Sequence, residues 1–262
     1  MNKKNRGCRI FIIALSIYLL VPFAVTLIYS LFTEWTSILP TGFTLKNYFD
    51  LFQNMEFWSS LARTVVLCVV SVLLTIVLVI LAMYVIAVVN RRLAKYMQLI
   101  CMIPYALQGV ILSIGIISLY ASSTTILSNR LLMLFGAYTI LVLPYIYQGI
   151  RNSLNAINAK MLIEAAEMLG CSRFRTWITV VIPNIAPGLL VSSLLAESIV
   201  FGDFVLANNI AGNNYQNIQV FLNRKMFTSS GLSSAIVVVI FLVVFLITGT
   251  VLKLQKKESE IR

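Results

Sequence analysis

Residues 153–183 read SLNAINAKMLIEAAEMLGCSRFRTWITVVIP, and the organisation of the whole chain turns on this stretch. It is the longest polar-rich segment between two strongly apolar ones. It carries two of the chain's nine acidic residues, Glu164 and Glu167. Ile157, Met161, Leu162, Ala165, Met168 and Leu169 recur at helical spacing, which predicts one apolar face on a short helix. Gly170 follows, where helices commonly end in a left-handed residue. A second short helix is expected from Ser172 toward Val181, with Pro183 in the first turn of the next apolar run. Ala165 and Ala166 leave room for another surface to approach, and Glu164 and Glu167 set negative charge beside Lys160, Arg173 and Arg175. Periodicity alone leaves two alternatives open: an amphipathic loop packed on its own bundle, or a loop that docks another protein.

The flanking segments are too apolar for water. Of 262 residues, 60% are hydrophobic and 11% charged, against about 25% charged in soluble domains. Mean hydropathy is +0.93. Six apolar runs cover 10–32, 61–89, 97–120, 131–150, 185–206 and 233–252. About 20 residues of helix span the hydrocarbon core. Lipid leaves no partner for bare backbone groups, so each run is expected to be a helix. The alternation of a membrane β-barrel, with segments of about ten residues, is absent. The first run follows Lys3, Lys4, Arg6 and Arg9, as a signal peptide would, but it exceeds the ~7–15 apolar residues of one and has no small-residue cleavage site. It is expected to stay as a helix. Trp35 and Trp58 suit a headgroup-level belt.

Six spans put both termini on one side. Fifteen of the 20 Lys and Arg residues fall on that side, which also holds residues 153–183. The positive-inside rule therefore predicts that the termini and this loop are cytoplasmic. The same distribution accounts for the net charge of +11, and no basic run with interleaved aromatics suggests nucleic acid. Cys8, Cys68, Cys101 and Cys171 form no C-x-x-C pair, and the chain has no histidine, so neither a metal site nor a disulfide is expected.

The spacing within 153–183 resembles the EAA loop of ABC importer permeases of the binding-protein-dependent type. That family's pattern is E-A-A, three residues, G, nine residues, I, one residue, L-P. Glu164, Ala165, Ala166, Gly170 and Pro183 match it, while Val180 and Ile182 stand where Ile and Leu are usual. The resemblance covers 57–252, with 1–56 holding a cytoplasmic segment, an added first helix and an external loop, and 253–262 a cytoplasmic tail. It implies an all-α membrane protein of the bacterial cytoplasmic (inner) membrane. The bundle would be that of a type I ABC importer permease, with six transmembrane helices and cytoplasmic N and C termini. It further implies that Glu164, Ala165, Ala166, Gly170, Val180, Ile182 and Pro183 couple the chain to an ATP-binding cassette ATPase dimer. A second permease subunit (a homologue or a second copy) and an extracellular or periplasmic substrate-binding protein would complete the assembly. The implied role is a translocation path worked by alternating access, with no cofactor and no catalysis in this chain.

The chain lacks a G-x-x-x-x-G-K-[ST] loop, so ATP hydrolysis by that route is excluded. Phe201-Gly202-Asp203-Phe204 is similar to the G-x-G-D of intramembrane aspartyl proteases. Val200 replaces the first glycine, and the only other aspartate, Asp50, lies in an outside loop, so the facing pair that chemistry needs is missing. Glu197 lies mid-helix, where a charge costs at least ~2.5–3.5 kcal/mol, so it is expected to face the bundle interior or water. Two roles stand open for it: a hydrogen bond to Ser or Gln on a neighbouring helix, or a pathway residue attracting a cationic substrate, with Tyr145 or Tyr147 stacking nearby. Phe201 and Phe204 share its face, and Asp203 does not. Asp203 is expected nearer the outer mouth, as a second pathway acid or as a helix-end residue bonded to loop amides.

Pro144-Tyr145, the Phe-Gly-Asp-Phe turn and Gly231-Leu232-Ser233-Ser234-Ala235 look most like the subgroup moving polyamines, ferric iron or 2-aminoethylphosphonate. A spermidine/putrescine type is the first expectation. An ion-coupled secondary transporter is the alternative of a different class, and it would show internal repeats and discontinuous helices. No clear repeat relates the two halves. A non-transporting membrane scaffold is a third possibility.

Overall fold

Apolar runs that must satisfy their own backbone fold as helices, and helix dominates the computed structural model, which describes residues 3–34, 41–90, 92–107, 109–120, 128–212 and 214–261. Five helices are long and apolar enough to cross a membrane: Phe11–Ser30, Met55–Val88, Arg130–Ala156, Arg173–Gly202 and Ser230–Thr250. A bent pair, Leu93–Ala106 and Gly109–Tyr120, makes a sixth if counted as one span. The chain divides into two compact units, one of Met1–Ser59 with Phe221–Gly249, the other of Ser60–Val220 with Thr250–Arg262.

In the first unit, α1 (Lys3–Ser30) buries none of its apolar window. Two short antiparallel strands follow, β1 (Phe32–Glu34) and β2 (Thr41–Phe43), pairing Phe32 with Phe43 and Glu34 with Thr41. Then come α2 (Lys46–Gln53) and the first turns of α3 (Met55–Tyr84). The Asn47 side-chain amide donates to the Ser30 carbonyl at 3.1 Å and the Phe32 carbonyl at 3.2 Å, tying α2 to the end of α1. Phe23 meets Phe241 of the last helix, Ser230–Ile261, with ring centroids 4.2 Å apart. The Trp58 indole donates to the Phe52 carbonyl at 2.9 Å, while Trp35 lies outside the described residues.

The second unit is built on α6 (Arg130–Ala156) and α9 (Ile182–Gly202). Tyr138, Val142, Ile146 and Ile150 line the buried face of α6, and Ile185, Ala196 and Val200 that of α9. The two helices run antiparallel in one register. Tyr138 hydrogen-bonds Asp203 at 3.1 Å, and Gly149 and Gly188 lie so close to the opposite helix that an added Cβ would meet Ser192 and Ser153 respectively. Small residues four apart on each helix, Gly149 with Ser153 and Gly188 with Ser192, let the backbones approach, the usual device where lipid supplies no hydrophobic drive for helix association. Asn129 caps α6 by accepting from the Leu131 N–H at 2.9 Å.

Two expectations about the helices are corrected. The run 97–120 is not one straight helix: α4 (Leu93–Ala106) and α5 (Gly109–Tyr120) meet at 103°. Pro104 has no N–H to donate into the ladder, and Leu107 turns to extended backbone directly after α4. Nor does a separate helix stop before Pro183. From α8 (Arg173–Thr176) a π-helical turn, Trp177–Val181, leads straight into α9. The Ile182 N–H reaches back to the Trp177 carbonyl, so the ladder widens by one residue just before the proline that cannot join it.

Candidate coupling site

At the end of α6, Asn158 adopts φ 49° and ψ 55°, the left-handed region that Asn tolerates better than most residues, and the chain reverses into α7 (Ala159–Met168). Ala159 and Ile163 are buried, and Leu162 and Ala166 are half-buried. Met161, Glu164, Ala165 and Met168 face outward. The apolar set expected to form one face is thus divided. Leu162 turns toward the protein, whereas Met168 and Leu169 are each 89% exposed. A 3.6-residue period marks both faces as apolar and cannot say which one the chain itself covers.

Gly170 sits at φ 81°. Its N–H reaches the Glu167 carbonyl at 2.9 Å, and the Cys171 N–H reaches the Ala166 carbonyl at 2.9 Å. This paired closure is the Schellman motif, and it fixes where α7 stops. Lys160 and Glu164 pair at 3.4 Å one turn apart on the exposed face, an interaction of about 0.3–0.5 kcal/mol. Glu167 pairs with Arg173, whose guanidinium also donates to the Val88 carbonyl at 3.3 Å. Tyr84, one turn before Val88, meets Phe174 and Trp177 edge-on at 5.7 and 5.6 Å. Val180, Ile182 and Pro183 are half-buried along the rod. The end of α3 is therefore held to the segment that carries α7.

The candidate pathway residues are scattered. Glu197 is half-buried, and among the described residues its carboxylate has no hydrogen bond or ion pair; its backbone carbonyl accepts from the Cys68 thiol at 3.9 Å. Among the described residues the expected bond to a neighbouring Ser or Gln is not formed. No ring contact or hydrogen bond joins it to Tyr145 or Tyr147. Tyr145 stacks instead on Tyr105, with centroids 5.2 Å apart, and Tyr147 is buried. Phe201 is buried, and α9 ends at Gly202, so Phe204 lies past the break and the face drawn from Glu197 to Phe204 does not hold. Asp203 Oδ2 accepts from the Tyr138 hydroxyl at 3.1 Å, the Leu206 N–H at 3.0 Å and the Ala207 N–H at 3.3 Å. It caps the helical turns that follow, as the loop-amide alternative expected.

Residues 79–258 match the family described as "Binding-protein-dependent transport system inner membrane component". The chain belongs to that family of ABC importer permeases. Among its curated relatives, the putative 2-aminoethylphosphonate transport system permease protein of Salmonella typhimurium is 21% identical over 71% of this chain and 70% of its own length. The sulfoquinovosyl glycerol transport system permease protein of Agrobacterium fabrum is 29% identical over 79% and 74%. The probable starch degradation products permease AmyD of Thermoanaerobacterium thermosulfurigenes is 27% identical over 95% and 92%. A chain in the crystal structure of a bacterial ABC transporter that imports alginate shares the fold, with a TM-score of 0.67 at 18% identity over 97% of this chain and 98% of that one. The permease is accordingly a multi-pass inner-membrane protein and a transport subunit, and the secondary-transporter and scaffold alternatives fall away.

Proposed function

We propose that this permease couples to separate ATP-binding subunits through the outward face of α7, with Glu164, Ala165, Met161 and Met168 as the docking surface. One observation carries this: a helix with a fixed end presents an alanine and two methionines that its own unit does not cover. Arg173, Tyr84 and the unbroken helix from Arg173 to Gly202 give the docked helix a rigid path to the bundle. A partner that holds α7 differently with and without ATP would then bias the bundle between two arrangements. Both termini and α7 are assigned to the cytoplasm, and the assembly to two permease subunits, an ATPase dimer and an external binding protein. Co-purification of the ATPase from a strain expressing the whole system tests the docking surface. Loss on Glu164→Lys or Gly170→Asp supports it, and full retention in both refutes it. Cys171 tests the side. In a Cys8→Ser background, a membrane-impermeant maleimide should label it from the cytoplasmic face alone, because Cys68 and Cys101 are buried.

We infer that the solute is a small polar organic molecule, sugar-like or an aminoalkylphosphonate, in preference to a polyamine. The relatives reported above are named for transport of 2-aminoethylphosphonate, sulfoquinovosyl glycerol and starch degradation products. The two intramembrane acids lent the polyamine expectation only slight support, and Asp203 already accepts three hydrogen bonds from the protein. Glu197 has no hydrogen bond or ion pair among the described residues and remains the pathway candidate of the two acids, with Tyr145 and Phe201 as further candidates. ATP-driven uptake in vesicles holding the complete system, measured for labelled maltose, 2-aminoethylphosphonate and spermidine, decides between them. Saturable spermidine uptake alone would refute the preference.

A further inference from the structure

A cavity of about 540 Å³ opens between the end of α3, the start of α4, the end of α6 and the start of α7, close to the coupling helix but on its inner side. Among the described residues its polar lining is Asn90, Tyr147, Arg151, Asn155, Asn158 and Lys160, with no carboxylate. Both nearby acids are engaged: Glu164 with Lys160, and Glu167 with Arg173. Arg151 is half-buried beside Tyr147 and has no acidic partner among the described residues. A cation drawn partly out of water without a counter-ion is costly. Here it stands in a space large enough for a ligand, among amides that can donate. The remaining lining, from the end of α3 and the turn after it, Ala94 of α4, Leu154 of α6 and Ala159 of α7, is apolar.

We propose that this cavity binds a phosphate-bearing anion, with Arg151 as its charged contact and the Asn90, Asn155 and Asn158 amides as neutral donors. The chemistry selects phosphate over carboxylate. A guanidinium fork engages two phosphate oxygens and leaves others for amide donors spread around the cavity. The apolar wall accommodates the carbon part of an ester. Two sources share this chemistry. One is the headgroup of an anionic phospholipid, since Arg151 closes the apolar run 131–150 and basic pockets between helix ends hold such headgroups. The other is a soluble phosphate. The site adjoins the outward face of α7 without including its docking residues: of that helix only Ala159 and Lys160 line it, and Lys160 also pairs with Glu164.

The purified transporter complex, in a neutral detergent, is given phosphatidylglycerol and phosphatidylcholine and examined by native mass spectrometry. Inorganic phosphate is tested separately by 31P line broadening. The variants are Arg151→Ala, Arg151→Lys and Asn155→Asp. Asn155 is exposed, so that variant adds a negative charge without emptying a packed position. If the ligand is a lipid, the wild type retains phosphatidylglycerol over phosphatidylcholine. Retention then falls about tenfold in Arg151→Ala and Asn155→Asp, the loss expected of one charge-assisted hydrogen bond, and in part recovers in Arg151→Lys. If the ligand is soluble, inorganic phosphate broadens with the wild type and not with those two variants, while both lipids dissociate alike. Binding of neither probe by the wild type, or equal binding by the wild type and a folded Asn155→Asp protein, overturns the proposal. Neither result bears on ATPase docking, which the Glu164 and Gly170 variants test independently.

Discussion

The contact between α6 and α9 makes a quantitative demand at Gly149. A Cβ built there would lie 2.3 Å from both the Cβ and the Oγ of Ser192. Carbon atoms rest at about 3.5–4.0 Å, so Gly149→Ala needs roughly 1.3 Å more room. The Ser192 hydroxyl can rotate, but its Cβ is fixed to the helix, so the helices themselves must part. Overpacking of this kind costs about 1–3 kcal/mol, offset by the ~0.5–1 kcal/mol that alanine gains over glycine in a helix. Each kcal/mol lowers the melting temperature by about 2–4 °C in a chain of this size class. At Gly188 the added Cβ meets the Ser153 Oγ at 1.9 Å but the Ser153 Cβ only at 3.1 Å. A hydroxyl rotation relieves most of that clash, so Gly188→Ala should lose less. Gly115 and Gly136 have nothing within 4 Å of a Cβ, and alanine there should be neutral or stabilising. Ser192→Gly should rescue Gly149→Ala, because it removes both atoms of the clash. Thermal unfolding of the purified protein in detergent reads all five proteins. A Gly149→Ala protein as stable as Gly136→Ala, or one that Ser192→Gly leaves unrescued, would refute the close packing.

Asp203→Ala should destabilise by about 1–3 kcal/mol, because it leaves the fully buried Tyr138 hydroxyl and two backbone N–H groups without their acceptor. Asp203→Asn, which keeps an acceptor oxygen, should lose less. Tyr138→Phe should recover part of the Asp203→Ala loss. A substrate contact would instead lower uptake and leave the melting temperature alone. At Gly170 the space is open and only the backbone is strained, with φ 81° and no atom within 4 Å of a built Cβ. The loss there should rise from Asn through Ala to Val, with alanine near 1 kcal/mol, and equal losses for Asn and Val would refute a purely conformational role.

The sequence carried the fold where a local rule acted alone. Gly170 marked the end of α7 because few residues accept its φ. The six runs marked helices because lipid forbids bare backbone. It failed where two rules competed. Pro104 and Pro183 both lie in helical runs, and their outcomes differ: α4 ends shortly after Pro104, while a π turn lets the helix pass through Pro183. Nothing local distinguishes the two, since the neighbours decide whether a freed carbonyl finds a partner. Gly149, Ser153, Gly188 and Ser192 did carry a legible signal, a small residue every fourth position on two consecutive long helices. It goes unnoticed when glycine is read only for turns. The capping role of Asp203 was visible as an alternative, but its partner Tyr138 lies 65 residues away and only the packed helices bring it near.

The three letters that name the loop are not equally exposed. Glu164 and Ala165 are exposed, whereas Ala166 is half-buried against its own unit and its carbonyl closes the helix end with Cys171. A docking surface can therefore include the first two residues, while the third serves the fold. Ala165→Leu should leave the melting temperature within the ~0.5 kcal/mol typical of surface changes, yet abolish retention of the ATPase, because the added bulk blocks the approach that alanine permits. Ala166→Leu should lower stability by about 1–3 kcal/mol through overpacking, and its effect on the ATPase should follow the fraction folded. Co-purification and thermal unfolding of the same two proteins separate the roles. If Ala165→Leu destabilised the protein and left the ATPase bound, the outward face of α7 would be part of the permease's own core, and the assignment of the coupling surface would fail with it.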